Sequence, residues 1–144
     1  SHVAELNNTI GDELLKVHVS YGPLVQTLLK RFNSKTKNSK LPIKAFAHIT
    51  GGGFVDNIPR VLPKTCDAAI RKGSWDMLPI FKLIETRSGV PDDELYQVFN
   101  MGIGMVAIVA AEKADSVLKF IRARKHDAWP IGEIVKGKGE ARVA

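Results

Sequence analysis

Residues 51 to 53 are three consecutive glycines, set in the run HITGGGFVDNIPR (residues 48 to 60). A glycine loses more backbone freedom on folding than any other residue, roughly 0.5–1 kcal/mol against alanine inside a regular element. Three together stop helix and strand alike, so the backbone must turn tightly there or approach something closely. On the N-terminal side, IKAFAHI (Ile43–Ile49) places Ile43, Ala45, Ala47 and Ile49 on one side of an alternating run, which predicts a strand. On the other side, FVDNIPRVL predicts one or two helical turns interrupted at Pro59. A strand, glycines and a helix start form the arrangement in which main-chain N–H groups converge on an anion. Thr50 adds a hydroxyl donor, and Arg60 would pair with phosphate bidentately if the short helix curls back. A tight turn that binds nothing has the same pattern, and the pattern leaves both open. It is neither a P-loop, for GKS or GKT is absent, nor a dinucleotide fingerprint, for the glycine spacing is wrong.

The rest of the chain alternates between the two periodicities. Leu14–Val17 reads as a strand end, and Gly22-Pro23 opens a helix whose apolar face is Leu24, Val25, Leu28, Leu29 and Phe32. CDAAIR (Cys66–Arg71) reads as a strand, and Pro79 to Thr86 as a helix. DDELYQVF forms another helix, with its acids at the end where the helix dipole favours them. GMVAIVA (Gly104–Ala110) is the most hydrophobic strand and is expected to be central. Glu112–Lys125 is a helix with a stripe of Ala114, Val117, Leu118 and Ile121, and WPIGEIV and ARV close the chain as strands. The order predicts an α/β fold: a layered mixed-sheet domain with helices packed on the sheet.

At 144 residues, positions 1-144 are expected to form a single domain. Ser1 and His2, with no initiator methionine, read as the remnant of a cleaved tag on a piece of something longer. The longest apolar run, Met105–Ala111, is far short of the roughly 20 residues that span a bilayer. No export leader opens the chain, and the single cysteine, Cys66, fits a reducing cytosol as a packed thiol or a reactive one. Lys30 to Lys44 carries six cations and no acid, as many as the whole net charge of +6. Phe32 is its only aromatic, so it reads as a solvated loop before a nucleic-acid patch.

Among candidate functional residues, His48 stands two positions before the glycines, where an imidazole can donate to a substrate or take its proton. A packed or surface histidine is the plainer reading. No second His, Cys or acid lies at metal-ligand spacing around it, so no protein-built metal site is expected. FNMGIGM (Phe99–Met105) places Asn100 at the mouth of a strand, either facing a ligand or shaping a bulge. Ser20 and Tyr21, before the first long helix, read as caps or ligand contacts.

Four stretches in this order, GDELL with HVSY, AHITGGGFVDNIPRVLP, FNMGIGM and WPIGEIVKG, resemble the C-terminal domain of the phosphoribosylformylglycinamidine cyclo-ligases (aminoimidazole ribonucleotide synthetases) over nearly the full length. The resemblance implies an ATP-dependent closure of the imidazole ring from formylglycinamidine ribonucleotide in purine biosynthesis. It gives His48 a part at the reacting amide. Thr50, Gly51, Gly52 and Gly53 would cradle phosphate, with Asn57 and Arg60 behind them. It further implies ATP and Mg2+ held mainly by an N-terminal ATP-binding domain absent from these residues, a homodimer of the full-length enzyme, a cytoplasmic location and an isolated piece that does not turn over. Two departures stand out: Val17 and His18 follow GDELL where the family often has proline and threonine, and the lysine stretch looks like an insertion. The alternatives are a related ATP-dependent synthetase or kinase of the same superfamily and a basic nucleic-acid-binding module.

Overall fold

The computed structural model describes residues 2–36 and 40–144; Ser1 and, in the basic stretch, Lys37 lie outside the described residues. Two short strands, β1 (His2–Val3) and β2 (Asn8–Thr9), pair antiparallel and lead into α1 (Ile10–Leu14). Thr9 caps that helix: its hydroxyl accepts from the Asp12 N–H at 3.0 Å and donates to the Asp12 carboxylate at 2.7 Å. Leu14–Val17 is therefore not a strand end. The cap and the acids of its first turn carry the helix through Leu14, and the residues after it run irregularly to α2 (Gly22–Phe32).

In α2, Leu28 is buried against Ile43 and Val117, with Leu24 and Phe32 beside them. Asn33, just past the helix, takes both backbone groups of Ile43, donating to its carbonyl at 2.9 Å and accepting from its N–H at 3.1 Å. That clasp sets the start of β3 (Ile43–His48), which pairs antiparallel with β5 (Met105–Val109), His48 opposite Met105. Among the described residues β5 has no second strand neighbour, contrary to the central place its hydrophobicity suggests. A cavity of about 300 Å³ lined by Met105–Val109, Val117, Ile121, Trp129 and Ile131 adjoins it. Val106 joins the main core with Ala68 and Ile70, and Val109 packs against Leu28 and Val117.

The second ladder has β4 (Cys66–Ile70) in the middle, antiparallel to β6 (Gly132–Lys136) and parallel to β7 (Ala141–Val143). The mixed α/β fold is as expected, built from three small ladders. The predicted Glu112–Lys125 helix is shorter, a 3-10 turn at Ala111–Lys113 followed by α6 (Ala114–Arg122). Between the ladders lie α3 (Gly53–Asn57) with a 3-10 turn over Ile58–Val61, α4 (Pro79–Ser88) and α5 (Asp92–Val98). Pro59 marks the restart after α3, as a residue without an N–H must.

The main core is anchored by the helix that follows the glycines. Phe54 and Ile58 are fully buried, and the Phe54 ring lies 5.6 Å from Trp75 and 6.4 Å from Tyr96. The Trp75 indole N–H donates to the Met101 carbonyl at 2.9 Å, which fixes the loop leading into β5. The glycine turn and the mouth of β5 are thus held by one aromatic cluster.

Candidate functional site

His48 is the last residue of β3 and is exposed, while the next residue, Ile49, is buried and donates its N–H to the Gly104 carbonyl at 2.9 Å. The core therefore takes the alternate side chains of the strand and turns His48 outward. Its imidazole makes no side-chain hydrogen bond among the described residues. Two rings flank it instead: His18 at 5.9 Å and 80°, and Tyr21 at 6.1 Å and 66°. His18 Nδ1 lies 3.0 Å from the Val19 carbonyl, and a carbonyl only accepts, so that nitrogen carries the proton. Burial pushes the Tyr21 phenol above its ordinary pKa, which keeps it neutral.

Each of the three glycines answers to a different constraint. Gly53 has φ +55°, and a Cβ there would stand 2.2 Å from the Tyr96 carbonyl oxygen. Gly52 has φ +94°, and its Cβ would meet the Asp56 side chain at 2.6 Å. Around Gly51 there is open space. The Gly53 N–H donates to the Thr50 carbonyl at 3.1 Å, whereas among the described residues the N–H groups of Gly51 and Gly52 meet no backbone acceptor. The expectation of three converging amides is thus reduced to two. Asp56 adds a carboxylate beside Gly52 at the start of a helix of only five residues.

Asn57 is buried and works inside the turn. Its Nδ2 donates to the carbonyls of Gly53 at 2.8 Å, Gly51 at 3.2 Å and Thr50 at 3.3 Å. Its Oδ1 accepts from the Thr50 hydroxyl at 3.3 Å. Asn100 likewise shapes a turn: its Oδ1 accepts from the Gly102 N–H at 2.9 Å, where Met101 has φ +49° and Gly102 φ +94°. Arg60 is exposed on the 3-10 turn. No hydrogen bond joins Arg60 or Asn100 to the glycine turn among the described residues. The structure thus brings together His48, Thr50, Gly51 and Gly52 at one strand end, with Asn57 and Gly53 beneath them.

His18 and Gly104 were missed in the sequence, and Tyr21 was read there as a cap or a ligand contact. It stands at the N-cap position of α2, but its side chain makes no capping bond and leans on His48. His18 joins it on the other contact, and Gly104 lies under Tyr21, where a Cβ would stand 2.2 Å from the phenol oxygen. The signal available was the tyrosine itself, a large ring just outside a helix with no place in its apolar stripe.

Among the described residues no group of three or more His, Cys, Asp or Glu could hold a metal ion, and no helix is long and apolar enough to cross a membrane. Cys66 is half-buried, its sulfur 3.8 Å from the Thr65 hydroxyl. In the basic stretch Phe32 packs edge-on against Phe120 at 5.3 Å, so it is not offered to a nucleobase.

The family profile described as AIR synthase related protein, C-terminal domain, matches residues 1–144. The chain is 42% identical over 139 residues to the phosphoribosylformylglycinamidine cyclo-ligase of Desulfotalea psychrophila, covering 96% of this chain and 36% of that protein. It is 43% identical over 136 residues to the protein of that name from Caldicellulosiruptor saccharolyticus, with 94% and 37% covered. To the one from Caldicellulosiruptor bescii it is 45% identical over 134 residues, with 93% and 37% covered. The chain spans little more than a third of the length of these relatives.

Proposed function

The chain belongs to the family of AIR synthase related proteins, as their C-terminal domain, and on that premise we propose that it is one domain of an ATP-dependent cyclo-ligase that closes the imidazole ring of aminoimidazole ribonucleotide. The substrate is formylglycinamidine ribonucleotide. ATP gives its terminal phosphoryl group to the formamide oxygen: the bond from that phosphorus to the bridging oxygen breaks, a P–O bond forms, and ADP leaves. The amidine nitrogen then attacks the activated carbon, a C–N bond forms, the C–O bond breaks with release of phosphate, and the nitrogen loses a proton.

One observation supports this reading above the rest. His48 stands exposed at the end of β3, and among the described residues both its ring nitrogens are unengaged and the nearby amides of Gly51 and Gly52 lack a backbone acceptor. An imidazole so placed takes the proton that ring closure releases. The amides of Gly51 and Gly52 face the oxygens of the leaving phosphate, the Thr50 hydroxyl joins them by turning from its bond to Asn57, and Asn57 and Gly53 hold that turn in shape. Arg60 is the candidate for the ribotide phosphate, and Asn100, whose Nδ2 is unengaged among the described residues, for a substrate acceptor. Among the described residues the acids do not gather into a metal site, and no step here is assigned to Mg2+. Mg2+ and most of the ATP contacts belong in this reading to an N-terminal domain, in a homodimeric enzyme of the cytoplasm.

The test is ADP release with formylglycinamidine ribonucleotide as substrate. A parent chain that includes the preceding domain turns over, and residues 1–144 alone do not. Turnover by the 144-residue chain alone, or none by the parent, refutes the proposal.

A further inference from the structure

We propose that Tyr21 and His18 are positioning residues that hold the His48 imidazole by their rings and leave both of its nitrogens to the substrate. The inference rests on the reading of His48 as the group that handles the substrate's proton. A working imidazole is commonly fixed by a hydrogen bond from one nitrogen, which sets its tautomer and occupies that atom. Among the described residues His48 has no such bond. It sits between two rings at 5.9 and 6.1 Å, steeply inclined at 80° and 66°, within the range of favourable edge-to-face contacts. Ring contacts orient an imidazole without using a donor or an acceptor. Either nitrogen can then take the proton and either can give it up.

Gly104 is the independent sign that Tyr21 is placed on purpose. Its φ is not in the left-handed region, so its backbone does not ask for glycine. Its missing side chain does: a Cβ would stand 2.2 Å from Oη, 3.0 Å from Cζ and 3.1 Å from Cε2 of Tyr21. The second glycine of FNMGIGM therefore lets the Tyr21 ring lie over the mouth of β5, and the ladder puts His48 opposite the next residue, Met105. On the other flank, the bond of His18 Nδ1 to the Val19 carbonyl fixes that ring in turn.

The experiment compares variants that keep a ring with variants that lose it. In the parent enzyme, Tyr21→Leu and His18→Ala lower kcat by about tenfold or more with a smaller change in KM, because a displaced group loses rate before affinity. Tyr21→Phe and His18→Phe recover most of that loss. Gly104→Ala, which moves Tyr21 without altering it, behaves as Tyr21→Leu does. In the 144-residue chain, proton NMR of the His48 ring reads the same contact without activity. Its ring-current shift persists in Tyr21→Phe and collapses in Tyr21→Leu and in Gly104→Ala. Unchanged His48 ring shifts and unchanged kcat in Tyr21→Leu overturn the proposal, as does a Tyr21→Phe variant as impaired as Tyr21→Leu. If His48→Asn turns over normally while the ring shifts respond as stated, the ring hold is upheld and the role of His48 in the reaction falls.

Discussion

The side-chain amide of Asn57 donates to the carbonyl oxygen of Gly53 at 2.8 Å, tying the last residue of α3 to its first. The same nitrogen reaches the carbonyls of Gly51 and Thr50. A residue that looks like a ligand contact in the sequence is the brace of the turn. Asn57→Ala leaves those carbonyls without their donor in a buried place, a loss of about 1–3 kcal/mol of stability. Asn57→Asp is worse, since it sets an acceptor against acceptors. Urea unfolding measures both, and an unchanged midpoint in Asn57→Ala contradicts the bracing role.

The three glycines are expected to separate cleanly under alanine substitution. Gly51→Ala has open space and an ordinary φ, and stays within about 0.5 kcal/mol of the wild type. Gly53→Ala forces a left-handed residue with a Cβ into the Tyr96 carbonyl, and loses at least about 2 kcal/mol. Thermal melts of the two variants side by side check the order.

Asp67 gives a pH-dependent outcome. Its Oδ1 accepts from the N–H groups of Lys138 at 2.7 Å, Gly139 at 3.0 Å and Glu140 at 2.9 Å, and its Oδ2 accepts from Arg142 at 2.8 Å. The backbone donors of Glu140 and Lys138 first, and then the Arg142 charge, hold its pKa below the usual carboxylate value. A group depressed in the folded state binds fewer protons there than in the unfolded chain, so its stabilisation is complete above the unfolded pKa of about 3.9. It is lost as pH falls through the lower folded value. Asp67→Asn is expected to be less stable near neutral pH and to lose this part of the acid dependence. Melting temperatures across the acid range compare the two slopes, and parallel curves contradict the assignment.

The region around the glycines was legible because its periodicity changes within a few residues. Ile43, Ala45, Ala47 and Ile49 alternate, and Phe54 and Ile58 follow at helical spacing, so strand, turn and helix could be read off local preference. The segment before α2 was not, because Leu14 and Leu15 are apolar yet exposed at 72% and 81%, and the hydroxyl of Thr9 rather than any hydrophobic pattern sets the helix. The place of β5 was misread for a related reason: an apolar strand suggests burial on both faces, yet only Val106 of β5 is buried and the strand adjoins a cavity. In the site, His48 was visible through its position beside the glycines. Tyr21 lies 27 residues before His48 and Gly104 lies 56 after it, and only the fold puts the three together, by pairing β3 with β5 and setting Tyr21 against both His48 and Gly104.

The account depends on His48 facing the atom at which the ring closes. A structure of the parent enzyme with formylglycinamidine ribonucleotide and a non-hydrolysable ATP analogue measures this most directly. The expected result is an imidazole nitrogen of His48 within hydrogen-bond reach, about 2.6–3.2 Å or one intervening water, of the amidine or formamide group. Substrate bound with those groups at another surface, and His48 open to solvent, would contradict it.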